Sequence, residues 1–168
     1  IYVFDNSIWI GDQHKIEIID GEMKFRKRKE VIPSKILSEL ADVGVTNFDT
    51  SHLRIAISSG IPIVSNQICY SLLDRRASFE MSELCKEFNI KLFAFGTLAG
   101  GFLSNRWLGK KEPKIDNHLN WSQMKYKRFI DITGGWDKFQ KLLEQLDLIA
   151  KKKNTSIANI SSRYILED

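Results

Sequence analysis

Two kinds of hydrophobic patterning divide the chain. In residues 1–36 apolar and polar positions alternate, most clearly in "KIEIIDGEMKFRK" on both sides of Asp20-Gly21. That pattern predicts a β-hairpin, with Ile16 and Ile18 on one face and Met23 and Phe25 on the matching face of the partner strand. From about Val43 short apolar runs alternate with segments of helical period. "VGVTNF", "IPIVSNQ" and "IKLFAFG" read as buried strands. "DTSHLRIAIS" reads as a helix capped by Asp49 or Thr50, with Leu53, Ala56 and Ile57 on one face and Gly60 as its stop. "SFEMSELCKEF" places Met81, Leu84, Cys85 and Phe88 on a second helical face, and Asn89 suits a left-handed exit.

Downstream, Gly100 to Gly134 is rich in Trp, Lys, Asn and Gly, with a helical pattern in "WSQMKYKRFIDI". "DKFQKLLEQLDLIAKK" is the most regular helix, its apolar face being Phe139, Leu142, Leu143, Leu146, Ile149 and Ala150. Lysines 151 to 153 complement the negative end of its dipole, and a last helix starts near Ser156. Strands and helices in alternation imply right-handed βαβ units and a parallel sheet, an α/β fold. A structureless stretch as long as 100–134 is expected to be a functional cover or disordered.

Composition narrows the setting. At 168 residues the chain is sized for one core, and its 43% hydrophobic and 27% charged residues are ordinary for a globular protein. A net charge of +4 is too mild to argue for nucleic acid. The run from Lys24 to Lys29 is open to two readings, a phosphate-binding or nuclear-localisation patch and a Lys-rich edge strand that resists aggregation. Two cysteines, Cys69 and Cys85, make neither a disulfide framework nor a zinc spacing, so a reduced, cytoplasmic setting is the default. No apolar run reaches the roughly 18–20 residues that span a bilayer. The chain begins at Ile1 and stops inside a helical pattern, which reads as a piece of something longer or a damaged product.

Ligands of parallel α/β folds gather at the C-terminal strand ends. Here those ends carry Thr46-Asn47, Asn66-Gln67 and Phe95-Gly96-Thr97. Alternation puts Asn47 on the face of Val43 and Val45, Gln67 on that of Ile63 and Ser65, and Phe95 on that of Phe93. If those faces point into a barrel, two amides and an aromatic ring converge on one rim. A flat ring bearing a carboxamide, such as nicotinamide, would satisfy all three. The plainer alternatives are a turn residue for Asn47 and a core residue for Phe95. "GTLAGG", from Gly96 to Gly101, can bring backbone amides against a pyrophosphate, although it is not the GxGxxG fingerprint. Cys85 reads as core, and Cys69 lacks an evident histidine base. His14, His52 and His118 lack metal-ligand spacing and read as surface residues. Arg75-Arg76 reads as a solvated pair or as a phosphate or carboxylate binder.

"VGVTNFD", "PIVSNQICYSLLDRR", "IKLFAFGTLAGGFLSNRWLG" and "KYKRFIDITGGWDKFQ" resemble the aldo-keto reductase family, in order and at family-like spacing, over roughly Leu40 to Asp168. The resemblance implies a partial (β/α)8 TIM barrel, strands five to seven with their helices, over residues 37–168, preceded by the hairpin in an atypical segment 1–36. It implies NADP as cofactor and a small-molecule carbonyl substrate, with no nucleic-acid or membrane partner. Thr46, Asn47 and Gln67 match the positions that hold the nicotinamide carboxamide. Phe95 matches the stacking aromatic, usually Tyr, and Gly96, Thr97, Leu98 and Gly100 match the loop that wraps the pyrophosphate.

Two departures follow. The family's catalytic Asp, Tyr, Lys and His lie on the first four strands, which nothing in residues 1–36 resembles, so no catalytic residue is assigned. The eighth strand would follow Asp168, and a chain of 168 residues cannot close a barrel, which leaves open parallel edges. The expected function is NADPH-dependent reduction of aldehydes or ketones in the intact protein, with this chain as its nicotinamide-binding part. The alternatives are a non-catalytic, cofactor-binding or regulatory relative and an interaction protein acting through Lys24 to Lys29.

Overall fold

The protein's structure is a computed structural model that describes residues 2–4, 7–10, 16–19, 22–25, 31–32, 42–114 and 119–167, with side chains from residue 42 onward. It divides into two compact units: residues 1–68 with 77–93, and residues 69–76 with 94–168.

The first unit holds two sheets. Strands β3 (Ile16–Ile19) and β4 (Glu22–Phe25) are antiparallel, with Ile16 opposite Phe25 and Ile18 opposite Met23, the register the alternation predicts. Strand β5 (Val31–Ile32) adds to β4 as a third. The other sheet runs β1 (Tyr2–Phe4), β2 (Ser7–Ile10), β6 (Asp42–Thr46), β7 (Ile63–Cys69), β8 (Lys91–Phe95). Strand β6 is parallel to both β2 and β7, and β1 is antiparallel to β2. The expected open edge of β6 is therefore covered by β2. A four-residue strand, "SIWI", gives no length of periodicity by which the sequence could announce it.

Helix α1 (Thr50–Ser58) starts on Asp49, whose carboxylate accepts from the His52 backbone N–H at 2.8 Å. Helix α2 (Glu80–Glu87) buries Met81, Leu84 and Cys85 and leaves through Asn89 at φ +53°. Phe88, expected on that buried face, is 45% exposed because the helix has ended before it. The layer beneath these helices is built from Val43, Val45, Leu53, Ala56, Ile63, Met81, Leu84 and Cys85.

The second unit contains α3 (Trp121–Ile132), α4 (Gly135–Lys152) and α5 (Ile157–Glu167). Helix α3 opens on a capping box between Asn120 and Gln123. Helix α4 buries Trp136, Phe139, Leu143, Leu146 and Ala150, while Ile149, predicted on that face, is exposed. The stretch after Gly100, expected to be a cover or disordered, is instead a core element over its described residues. Phe102 and Leu103 are fully buried, and Phe102 packs edge-on against Trp136 and Phe139. Short 3-10 turns at Ala99–Gly101 and Asn105–Trp107 carry the chain past this cluster. Three hydrogen bonds tie it to α4: Trp136 Nε1 to the Lys110 carbonyl at 2.9 Å, Gln140 Nε2 to the Trp107 carbonyl at 3.0 Å, and Gly109 N to Gln140 Oε1 at 2.8 Å. The Asn105 side chain accepts from the first amide of α5 and donates to Asp147.

Candidate functional site

In the first unit, the ends of β6 and β7 bring Thr46, Asn47 and Gln67 together. Val64 is the extra residue of a β-bulge: Val43 pairs with Ile63, but Gly44 pairs with Ser65, Val45 with Asn66 and Thr46 with Gln67. The bulge shifts the phase of the strand. Ile63 shares the helix-covered face with Val43, whereas Ser65 and Gln67 turn to the other face with Gly44 and Thr46. Simple alternation had grouped Ile63 with Gln67, and the bulge separates them. Thr46 is half-buried and Gln67 is exposed. Asn47 leaves the strand in a left-handed conformation, φ +56°, so strand alternation does not place its side chain. Its backbone N–H donates to the Gln67 carbonyl at 2.8 Å.

Asn66 points the opposite way, under α2. It is 0% exposed, its Nδ2 donates to the Phe48 carbonyl at 3.0 Å, and Met81 Sδ lies 3.8 Å away. Among the described residues its Oδ1 is buried with no hydrogen-bond partner. An orphaned buried acceptor of this kind costs about 1–3 kcal/mol. The costly buried amide of the "SNQ" motif is thus Asn66, while Thr46, Asn47 and Gln67 make no side-chain hydrogen bonds among the described residues.

In the second unit, Phe95 ends β8 half-buried, its carbonyl accepting from Tyr70 N at 3.1 Å. The Lys125 ammonium lies 5.2 Å from its ring centroid and 5.5 Å from that of Tyr126. Gly96, Thr97, Leu98 and Gly100 are half-buried and form a tight loop closed by Ala99 N to the Gly96 carbonyl at 2.8 Å. Gly96 has φ +69°, and a Cβ there would collide with the Tyr126 hydroxyl. At Gly100, φ +65°, a Cβ would stand 3.0 Å from Tyr126 Cδ2 and 3.2 Å from the Ser122 carbonyl. The loop's glycines are therefore required by both backbone sign and close approach.

Sequence reasoning missed the polar groups behind this loop. Tyr126 is buried, and burial, with the neighbouring Cys69, pushes its phenol up to about 12. Cys69 Sγ lies 3.9 Å from that hydroxyl, and burial raises its thiol as well. Asp74 is buried; desolvation alone would raise its carboxyl, but two hydrogen bonds from Arg76, at 2.8 and 2.6 Å, hold it below the ordinary value. Arg76 thus binds a carboxylate, and it is an internal one. Arg75 Cζ lies 5.7 Å from the Tyr164 ring. Lys127 is buried and ion-paired to Glu112 and Asp131 at 2.6 and 2.5 Å. A buried lysine and aspartate in "KYKRFID" and "SLLDRR" were the available signals. Cys85 is core, its thiol pushed up by burial to about 11. The His52 ring rests on the Asp49 carboxylate at 2.8 Å, and His14, His118 and the run Arg26 to Lys29 lie outside the described residues.

The donor set fits a nicotinamide. A hydroxyl and two amides at adjoining strand ends offer complementary donors and acceptors to a carboxamide. In the second unit, described by itself, Phe95 carries a half-buried ring beside the Lys125 ammonium, and Tyr126 fills the space that a side chain at Gly96 would take. Among the described residues no helix is long and apolar enough to cross a membrane, and no cluster of metal-ligating side chains occurs.

The family whose pattern matches is the Aldo/keto reductase family, over residues 37–168. The chain is also similar to flagellar radial spoke protein 5 of Chlamydomonas reinhardtii, 27% identical over 159 residues, which cover 93% of this chain and 28% of that protein. It therefore spans less than a third of that relative's length.

Proposed function

The chain belongs to the aldo/keto reductase family, and on that premise we propose that it supplies the nicotinamide-holding part of an NADPH-dependent carbonyl reductase acting on aldehydes or ketones. The observation that carries this reading is the set of polar side chains at the ends of β6 and β7, Thr46, Asn47 and Gln67, which no internal hydrogen bond engages among the described residues. In this reading they bind the carboxamide; in the second unit, family resemblance assigns Phe95 to the pyridine ring and the backbone of Gly96, Thr97, Leu98 and Gly100 to the pyrophosphate. When bound, the dinucleotide supplies a hydride; the protein's own contribution is to fix the ring that carries it. Calorimetric titration with NADPH tests the reading. Saturable binding is expected, weakened about tenfold or more by Gln67→Ala with no change in melting temperature, a loss of about 1.4 kcal/mol. Absence of binding at millimolar NADPH would sink it.

A second reading is a relative that keeps the cofactor seat without turnover. Its support is the similarity to a protein named for a flagellar radial spoke rather than for a reaction. NADPH-dependent reduction of a simple aldehyde by the purified protein would eliminate it.

A further inference from the structure

We propose that Asn66 is a positioning residue for Asn47. The proposal rests on the nicotinamide reading above and adds to it the device that aims one of its amides. Two consecutive residues of β7 grip two consecutive residues after β6. The Gln67 carbonyl accepts from the Asn47 N–H at 2.8 Å, and the Asn66 side chain donates to the Phe48 carbonyl at 3.0 Å. Between these two bonds the backbone of Asn47 is held at φ +56°. That conformation is uncommon for a residue with a side chain, and it persists only where its surroundings impose it.

The remaining atoms of Asn66 argue that the latch, not the packing, is the reason for an amide. The side chain is fully buried under α2 against Met81, where a leucine of similar size would sit without polar atoms. Among the described residues its Oδ1 finds no partner. Rotating the amide by half a turn would aim Oδ1 at the Phe48 carbonyl oxygen, so the orientation is fixed by the latch itself. A residue that leaves one buried polar atom unsatisfied earns its place through the other. That other is the hydrogen bond closing the Asn47-Phe48 turn.

The experiment compares the wild-type protein with Asn66→Leu, which keeps volume and removes both the donor and the orphaned acceptor. Two ligands are titrated: NADPH, and 2′-phospho-ADP-ribose, which has the same phosphates and adenosine but no nicotinamide. Amide exchange at Asn47 is followed by NMR. The expected result is about tenfold weaker NADPH binding, binding of 2′-phospho-ADP-ribose within twofold of wild type, and faster exchange of the Asn47 amide. Unchanged NADPH affinity in Asn66→Leu overturns the proposal. Equal weakening of both ligands also overturns it, because a general structural role would act on both. If wild-type protein binds no NADPH, the nicotinamide reading fails and takes the recognition role of Asn47 with it. Asn47 exchange then judges the latch alone, and unchanged exchange overturns that too. Asn66→Asp, which sets an acceptor against the Phe48 carbonyl, is read in the same way should the leucine variant not fold.

Discussion

The two units treat their polar groups in opposite ways. In the second, buried charges and a half-buried amide are matched: Asp74 with Arg76, Lys127 with Glu112 and Asp131, Gln140 with the backbone of Trp107 and Gly109. Around them stand Phe102, Trp107, Trp136 and Phe139 in tilted and edge-on contact. In the first, the strand ends present Thr46, Asn47 and Gln67 without internal side-chain partners among the described residues, and Asn66 keeps an orphaned oxygen. Satisfied polar groups and dense aromatic packing stabilise a fold. Polar groups left unengaged at a surface are available to a ligand. The difference therefore sets closely matched polar groups in the second unit against strand-end side chains in the first, which the proposed reading assigns to a carboxamide.

The largest effect expected from breaking this contrast is Phe102→Ala. Phe102 is fully buried and touches three aromatic rings, so truncation leaves a cavity and should cost about 3–5 kcal/mol. Denaturant unfolding measures it. A loss under about 1 kcal/mol would show that the aromatic cluster is not the stabilising element. Gln67→Ala in the first unit should leave stability within about 0.5 kcal/mol, since Gln67 is exposed.

Next come two glycines of the same backbone sign in different surroundings. Gly60 has φ +77°, and a Cβ added there would meet nothing within 4 Å, whereas at Gly96, φ +69°, it would strike the Tyr126 hydroxyl. Gly60→Ala therefore carries only the left-handed penalty, about 1–2 kcal/mol. Gly96→Ala adds overpacking against a buried ring, for a total of about 2–4 kcal/mol. Thermal unfolding of the two variants should rank them in that order. If Gly96→Ala also carries Tyr126→Phe, which removes the struck oxygen, part of the excess should return.

The contrast also explains what was legible in the sequence. Long periodic segments were: α1, α2, α4 and the strands around Val45 and Ile63 lie where patterning predicts, because their apolar positions are the buried ones. The strand around Phe93 also lies where predicted but is not the buried strand expected: β8 is the edge of its sheet, and Phe93 is 49% exposed. The hairpin register of Ile16 to Phe25 was equally plain. What escaped depended on single residues whose partners are distant in sequence. The bulge at Val64 inverts the phase of β7, and nothing in "IPIVSNQ" marks it. Strand β2 is too short to show a period. The core role of Phe102 and Leu103 was hidden because a Gly-rich, Trp-rich stretch lacks helical spacing, although aromatic residues there are themselves a sign of burial. At the candidate site, residue identities at the strand ends were readable, but the latch from Asn66 to Phe48 joins residues 18 positions apart and needs the fold to be seen.

The last effect is silent at neutral pH and emerges only in alkali, where buried groups of both units titrate. Burial raises the Cys85 thiol in the first unit from 9.0 to about 11, and the Tyr126 phenol in the second from 10.0 to about 12. In each case the unfolded chain loses its proton first. Between the two values the unfolded state binds fewer protons than the folded one, so stability falls as pH rises and levels off above the folded value. The decline begins near pH 9 for Cys85 and near pH 10 for Tyr126, with on the order of 2–3 kcal/mol at stake for each at most. Cys85→Ala should make the decline between pH 9 and 11 shallower and leave in place the part carried by the buried Cys69 thiol and by Tyr126. Tyr126→Phe should do the reverse, flattening it between pH 10 and 12. Denaturant midpoints measured from about pH 7 to 12 read both. A decline that neither variant makes shallower would show that burial of these two groups does not hold their protons in the folded state.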